Sequence, residues 1–200
     1  MKSKWIIASI LIVALICLCG ASIFAVWQGA KMAQEGGIRL DRWGADAVEA
    51  KETEEKTLAV SGPVSLSVTG DFGDISVESG GDGQVLVKAE KTAYGVDDAD
   101  AQAQLKNLKV VIEQRGNTVK ISVQRPVEVG VLHIGPGTGS VKFTISVPKD
   151  TAVALATSNG DLSLKGTSGK ADLETDFGKV TVRDVPAAVA AKSQTGTVDA

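Results

Sequence analysis

Apolar residues alternate with polar ones along the last third of the chain, and the alternation restarts at a fixed interval of 18 residues, marked by Gly160, Gly178 and Gly196. The segments read Thr157-Ser-Asn-Gly-Asp-Leu-Ser-Leu164, Thr175-Asp-Phe-Gly-Lys-Val-Thr-Val182 and Ser193-Gln-Thr-Gly-Thr-Val-Asp-Ala200, and they align without a gap. After each glycine the apolar positions are Leu162 and Leu164, Val180 and Val182, then Val198 and Ala200. Before each glycine a second set recurs at the same interval: Val153 and Leu155, Ala171 and Leu173, Val189 and Ala191. Period-two alternation places each set on one face of a strand. Pro148-Lys-Asp150, Gly166-Thr-Ser-Gly169 and Asp184-Val-Pro186 supply corners at the same period. Two short strands and two corners per repeat predict a rung whose like strands stack in parallel, the opposite strand serving as the crossover. Evenly spaced hairpins of an antiparallel sandwich share the turn spacing, but a sandwich gives no reason for identical registers.

Upstream, Val64–Val68, Ile75–Val77, Val85–Val87, Val110–Ile112, Val119–Val123 and Val141–Val147 alternate as strands, and Arg115-Gly-Asn117 reads as a hairpin turn. Asp97–Asn107 breaks the pattern: acidic residues first, helix formers next, then Leu105 and Leu108, the layout of one short capped helix. Asp71-Phe-Gly-Asp-Ile-Ser-Val77 echoes Asp176-Phe-Gly-Lys-Val-Thr-Val182, so the repeated unit begins before residue 70, with the helix inserted. The fold class expected is all-β, a short-rung β-solenoid or β-roll with one small helix insertion.

The N-terminus is of another kind. Trp5 to Trp27 carries no charge and is long enough to span a bilayer as a helix. Its flanking tryptophans and the preceding Lys2 and Lys4 predict a single-pass anchor with a cytoplasmic N-terminus and the bulk of the chain outside. A cleaved signal peptide shares the charged start and apolar run, but no small-x-small site follows. Cys17 and Cys19 follow Ile16 and Leu18, where a lipobox has a small residue, so they read as packing residues. Residues 1–30 are thus an anchor, 31–57 a charged juxtamembrane stalk, and 58–200 the displayed domain. Within the stalk, Glu49–Lys56 fits a short helix with a Glu52–Lys56 pair or a flexible linker.

The 44% hydrophobic content is inflated by the anchor, and of 21 basic residues two precede it while all 24 acidic ones follow. This mildly acidic exported part has no concentrated basic patch for nucleic acid. It also has no cysteine, which excludes disulfides and thiolate metal sites.

On the Phe72–Val77 start, the helix and hairpin at 97–123, Ile145–Pro148 and the glycine series at 160, 178 and 196, residues 58–200 resemble the putative adhesin family, a bacterial envelope β-solenoid domain of largely unknown function. The resemblance implies an envelope surface domain and brings no catalytic residue. Its members continue for further rungs, whereas Val198–Ala200 only opens one; this end therefore either continues in a longer chain or self-associates by pairing with another molecule.

The chemistry-bearing residues point to no reaction. His133 is the sole histidine, so neither a triad nor a histidine metal cluster has its parts. Gly135-Pro-Gly-Thr-Gly139 has no Lys-Ser/Thr closing a phosphate loop. Asp71 with Asp74, and Asp97, Asp98 and Asp100, are the residue types for a hard cation, but turn and cap roles account for them. Asp161, Asp172 and Lys179 fall on outward positions. No catalytic, cofactor or metal residue is assigned, and no cofactor is expected. The function expected is a non-catalytic, membrane-anchored adhesin-like domain contacting the bilayer through 5–27 and an envelope or surface ligand outside. The alternatives are an envelope-stress sensor that binds a regulatory partner and, third, a polysaccharide-acting β-helix enzyme.

Overall fold

The computed structural model describes residues 39–40, 47–125, 133–134 and 139–200. In chain order the strands are β1 (Arg39–Leu40), β2 (Val48–Ala59), β3 (Val64–Phe72), β4 (Ile75–Ser79) and β5 (Gln84–Gly95). The helix α1 (Asp98–Asn107) follows, then β6 (Lys109–Arg115), β7 (Thr118–Gln124), β8 (His133–Ile134) and β9 (Ser140–Val147). Six strands complete the chain: β10 (Thr151–Asn159), β11 (Leu162–Lys165), β12 (Ala171–Phe177), β13 (Val180–Arg183), β14 (Val189–Thr195) and β15 (Val198–Asp199). β1 pairs with β8 in a small unit of its own.

The remaining strands form two open sheets, ordered β14-β12-β10-β3-β7-β6 and β15-β13-β11-β4-β9-β5-β2. The 18-residue repeat is visible in the register: Val153, Leu155 and Thr157 of β10 lie beside Ala171, Leu173 and Thr175 of β12, and Ala171 and Leu173 beside Val189 and Ala191 of β14. On the opposite sheet Ile75, Leu162, Val180 and Val198 line up in the same way. All these pairings are parallel, as the repeat predicts.

The order in space departs from the order in sequence. β3 and β4 form the rung next to β10 and β11, so the chain leaves the stack after Ser79 and rejoins it at Thr151 in register, Leu66 beside Val153 and Val77 beside Leu164. The inserted segment itself adds β7 and β9 in parallel on the other side of β3 and β4. The row Ile121–Val68–Leu155–Leu173 is buried throughout, each side chain contributing roughly 1.5–3 kcal/mol of burial.

Beyond β7 and β9 the pattern becomes antiparallel, with β6 completing one sheet as a hairpin partner of β7 and β5 and β2 completing the other. Helix α1 packs on β5 and β2, burying Ala101 and Leu105. Asp97 caps it by accepting from the Asp100 amide at 2.8 Å, and the Asp100 carboxylate accepts from the Val96 amide at 3.1 Å. Both the helix and the Arg115-Gly-Asn117 turn stand where the sequence places them.

One expectation fails. Glu49–Lys56 is neither helix nor linker but the middle of β2, paired residue for residue with β5 from Val48↔Gly95 to Ala59↔Gln84. A sequence reading misses this strand because its inward positions include Glu52 and Glu54, whose partner, Lys91, is 37 residues away from Glu54. The anchor expected at 5–27 lies outside the described residues, among which no helix is long and apolar enough to cross a membrane.

Candidate interaction surface

The glycine corner explains the Thr/Ser-x-x-Gly motif. Thr157, Thr175 and Ser193 donate their hydroxyls to the carbonyls of Gly73, Gly160 and Gly178 in the preceding rung, at 3.5, 3.1 and 2.8 Å. The rungs approach so closely that a Cβ at Gly178, where φ is +150°, would overlap the Gly160 carbonyl oxygen. Beyond the glycine the ladder continues through carboxylates: Asp74 accepts from the Asp161 amide at 3.0 Å, and Asp161 accepts from the Lys179 amide at 2.7 Å. Asp74 and Asp161 are therefore turn acceptors, and Asp97 and Asp100 are cap residues. Asp71 pairs instead with Arg125, 3.3 Å from Oδ2 to Nε. Asp172 is an exposed residue of β12, and Lys179 forms a 2.6 Å ion pair with Asp199.

Immediately before these glycines runs a row the sequence reading left unassigned. Phe72 and Phe177 both stand beside Asn159, one on each side, and Thr195 follows Phe177. Phe72 is 40% exposed and Phe177 56%. Arg125, at the end of β7, sets its guanidinium 5.5 Å from the Phe72 ring centroid and donates to the Gly139 carbonyl at 3.2 Å. Burial lowers the Arg125 pKa and Asp71 opposes that shift; a guanidinium remains a cation throughout. The signal for this row was the repeated Asp-Phe-Gly of residues 71–73 and 176–178, legible as a repeat but not as a surface.

The second feature is Lys91, 5% exposed on the inward face of β5 and the one buried lysine, arginine or acidic side chain among the described residues. Its ammonium lies 2.7 Å from Glu52 and also contacts Glu54 of β2. Burial acts to lower its pKa, but hydrogen bonds to the two carboxylates outweigh it and the pKa is raised. Next to this clamp a groove of about 340 Å³ opens between Glu54, Glu55, Lys56 and Ala89 of the paired β2 and β5 and Val110 and Ile112 of β6 in the other sheet. A larger groove of about 610 Å³ runs past Lys51, Thr53, Glu90, Thr92 and Lys142 to the Gly73–Asp74 corner. His133 contributes its backbone to β8 beside Arg39; Gly135–Thr138 and both cysteines lie outside the described residues.

None of the curated proteins matches the chain. Among solved structures it is similar to a putative cell adhesion protein from Clostridium sporogenes, with 9% identity over 74% of this chain and 98% of that one and a TM-score of 0.42. It is similar also to a putative adhesin from Bacteroides fragilis, with 17% identity over 74% of this chain and 62% of that one and a TM-score of 0.43. A third is a putative lipid binding protein from Parabacteroides distasonis, with 10% identity over 70% and 60% of the two chains and a TM-score of 0.33. The family model for Toastrack DUF4097 matches residues 72–200, from the first Phe-Gly corner through the last rung, and the chain belongs to that family.

Proposed function

We propose that this protein is a membrane-anchored, extracytoplasmic adhesin-like domain that contacts an envelope or surface ligand without chemically altering it. The observation that carries the reading is the rung stack, whose strands hold one register across both sheets and so present polar side chains in straight rows. Ser65, Ala152 and Lys170, and likewise Ser67, Ala154 and Asp172, border a shallow trough along one such face. Many weak contacts on such a rigid lattice add without an ordering cost for each. The non-catalytic part of the reading is supported by the commitment of Asp74, Asp97, Asp100 and Asp161 to backbone hydrogen bonds. The location is supported by the uncharged run Trp5–Trp27 behind Lys2 and Lys4.

Cells expressing the chain with a C-terminal tag test both halves. The full-length product is expected in the membrane fraction, cleaved by protease added from outside, and able to retain isolated cell envelopes on a tag-affinity resin. A soluble product that has lost its first thirty or so residues would overturn the anchor. Failure to retain envelopes would overturn the adhesive role.

A further inference from the structure

We propose that the corner row of Phe72, Asn159 and Phe177 is a binding site for an uncharged β-1,4-linked pyranose chain. The inference rests on the adhesive reading and gives it a ligand class. Two large apolar side chains are exposed, 40% and 56%, at equivalent positions of β3 and β12, the first with the Arg125 guanidinium 5.5 Å from its ring centroid. The fold does not require them, because the same position is Asn159 in β10 and Thr195 in β14, and those rungs keep the same register and the same corner hydrogen bonds. Aromatic groups stacked on adjacent rungs would cover each other; here Asn159 separates them.

The separation has a ligand-sized value. Two strand steps place Phe72 and Phe177 roughly 9.6 Å apart along the stack. That is close to the length of two 1,4-linked pyranose units, after which a β-linked chain presents the same sugar face again. Pyranose C–H faces pack on aromatic rings, while the ring hydroxyls need both donors and acceptors. Asn159, which stands in register between Phe72 and Phe177, carries an amide that offers both, while Asp71, Ser158 and Asp176, one residue earlier, alternate to the other face of their strands. Asp74 and Asp161 follow the glycines. Asp71 is held by Arg125, and Asp176 accepts from the Gln194 amide, so these carboxylates are engaged within the protein. Arg125 and Lys179, the cations beside the row, are likewise engaged, by Asp71 and Asp199, so the row does not favour phosphate, sulfate or anionic headgroups, and a neutral polyhydroxyl chain is the class that fits.

The test is isothermal titration of the full-length chain, purified in a detergent without a sugar headgroup, with cellohexaose and with the N-acetylglucosamine hexamer; the two arms separate a glucan from an aminosugar source. Saturable binding of at least one is expected, weakened about tenfold in Phe177→Ala and in Phe72→Ala, a loss of about 1.4 kcal/mol each. Phe177→Tyr should retain it, and Leu86→Ala, an exposed apolar position on the other sheet, should leave it unchanged. Absence of binding to both hexamers, or equal affinity in the Phe72→Ala/Phe177→Ala double variant, overturns the site. Retention of isolated envelopes by the unmodified chain separates the two readings. If retention persists while hexamer binding is absent, the ligand class falls and the adhesive role stands; if the unmodified chain fails to retain envelopes, the adhesive role falls as well.

Discussion

The two ends of the sheets are built on opposite logic. At the β10–β15 end every strand repeats the one before it, so each inward residue meets its own equivalent and the core is a set of apolar rows. At the β2–β5–β6 end the strands run antiparallel, no register repeats, and a buried lysine pairs with two glutamates where the stack has only aliphatic or hydroxyl side chains. The repeat buries its apolar faces by adding rungs. The antiparallel end is covered by a helix and carries a charged outer strand, and inward charges on an edge strand disfavour pairing with another chain. Specificity at one end comes from shape, and at the other from charge.

The sharpest way to break this contrast is to put a charge into the repeat. Leu173 is wholly buried between Leu155 and Ala191, so Leu173→Asp should cost at least about 4 kcal/mol. Its neighbour Asp172 is exposed, and Asp172→Ala should stay within about 0.5 kcal/mol. Equal losses in thermal unfolding of the two variants would show that the inward and outward faces are misassigned.

The glycine corner comes next. Gly178→Ala adds a methyl against the Gly160 carbonyl at a backbone angle that side chains avoid, which should cost about 3 kcal/mol. Gly116→Ala, at the β6–β7 turn where a Cβ meets nothing within 4 Å, should cost less, because only the φ of +59° is penalised. Chemical denaturation of the pair decides; a smaller loss at Gly178 would mean that the rungs can separate at the corner without consequence.

What the sequence disclosed follows the same division. The register of β10 to β15, the return of the pattern at Asp71–Val77 and the Asp97 cap are each encoded within a few residues or at a constant interval, and all three can be read from the chain alone. β2 was hidden because Glu52 and Glu54 look solvent-facing until Lys91 is placed opposite them, a pairing that exists only in three dimensions. The same holds for the corner row. Phe72, Asn159 and Phe177 are far apart in sequence, and only the rejoining of the stack after β9 puts Asn159 between the two rings.

The Lys91 clamp gives a third, smaller effect with a characteristic rescue. Lys91→Met keeps the volume and leaves Glu52 and Glu54 without their cation; since both are about half exposed and can take up water, the loss should be about 2 kcal/mol. Adding Glu52→Gln and Glu54→Gln should recover much of it, because an uncharged cluster no longer needs the ammonium. No such rescue exists for Leu173→Asp. The pH dependence has a definite sign: a raised lysine pKa contributes stability that is complete below the ordinary value of 10.5 and disappears as pH rises through the folded value. Unfolding midpoints of the unmodified chain should therefore fall on the alkaline side of 10.5 more than those of Lys91→Met.

The smallest effect is expected from a pair that looks the same on paper. Lys192 and Glu174 also join neighbouring strands, at 2.7 Å, but on the outward face of β14 and β12 with both side chains more than half exposed. Here water already solvates both charges and salt screens their attraction, so ordering two long side chains offsets what the contact contributes. A double-mutant cycle on Lys192→Met and Glu174→Gln should give a coupling indistinguishable from zero at physiological salt, whereas the cycle on Lys91→Met and Glu52→Gln should give one that survives added salt. Equal couplings would mean that burial is not what distinguishes the two ends. A salt-sensitive coupling at Lys91 would mean that β2 opens enough in solution to admit ions between the sheets, and the clamp would then be a surface pair in all but appearance.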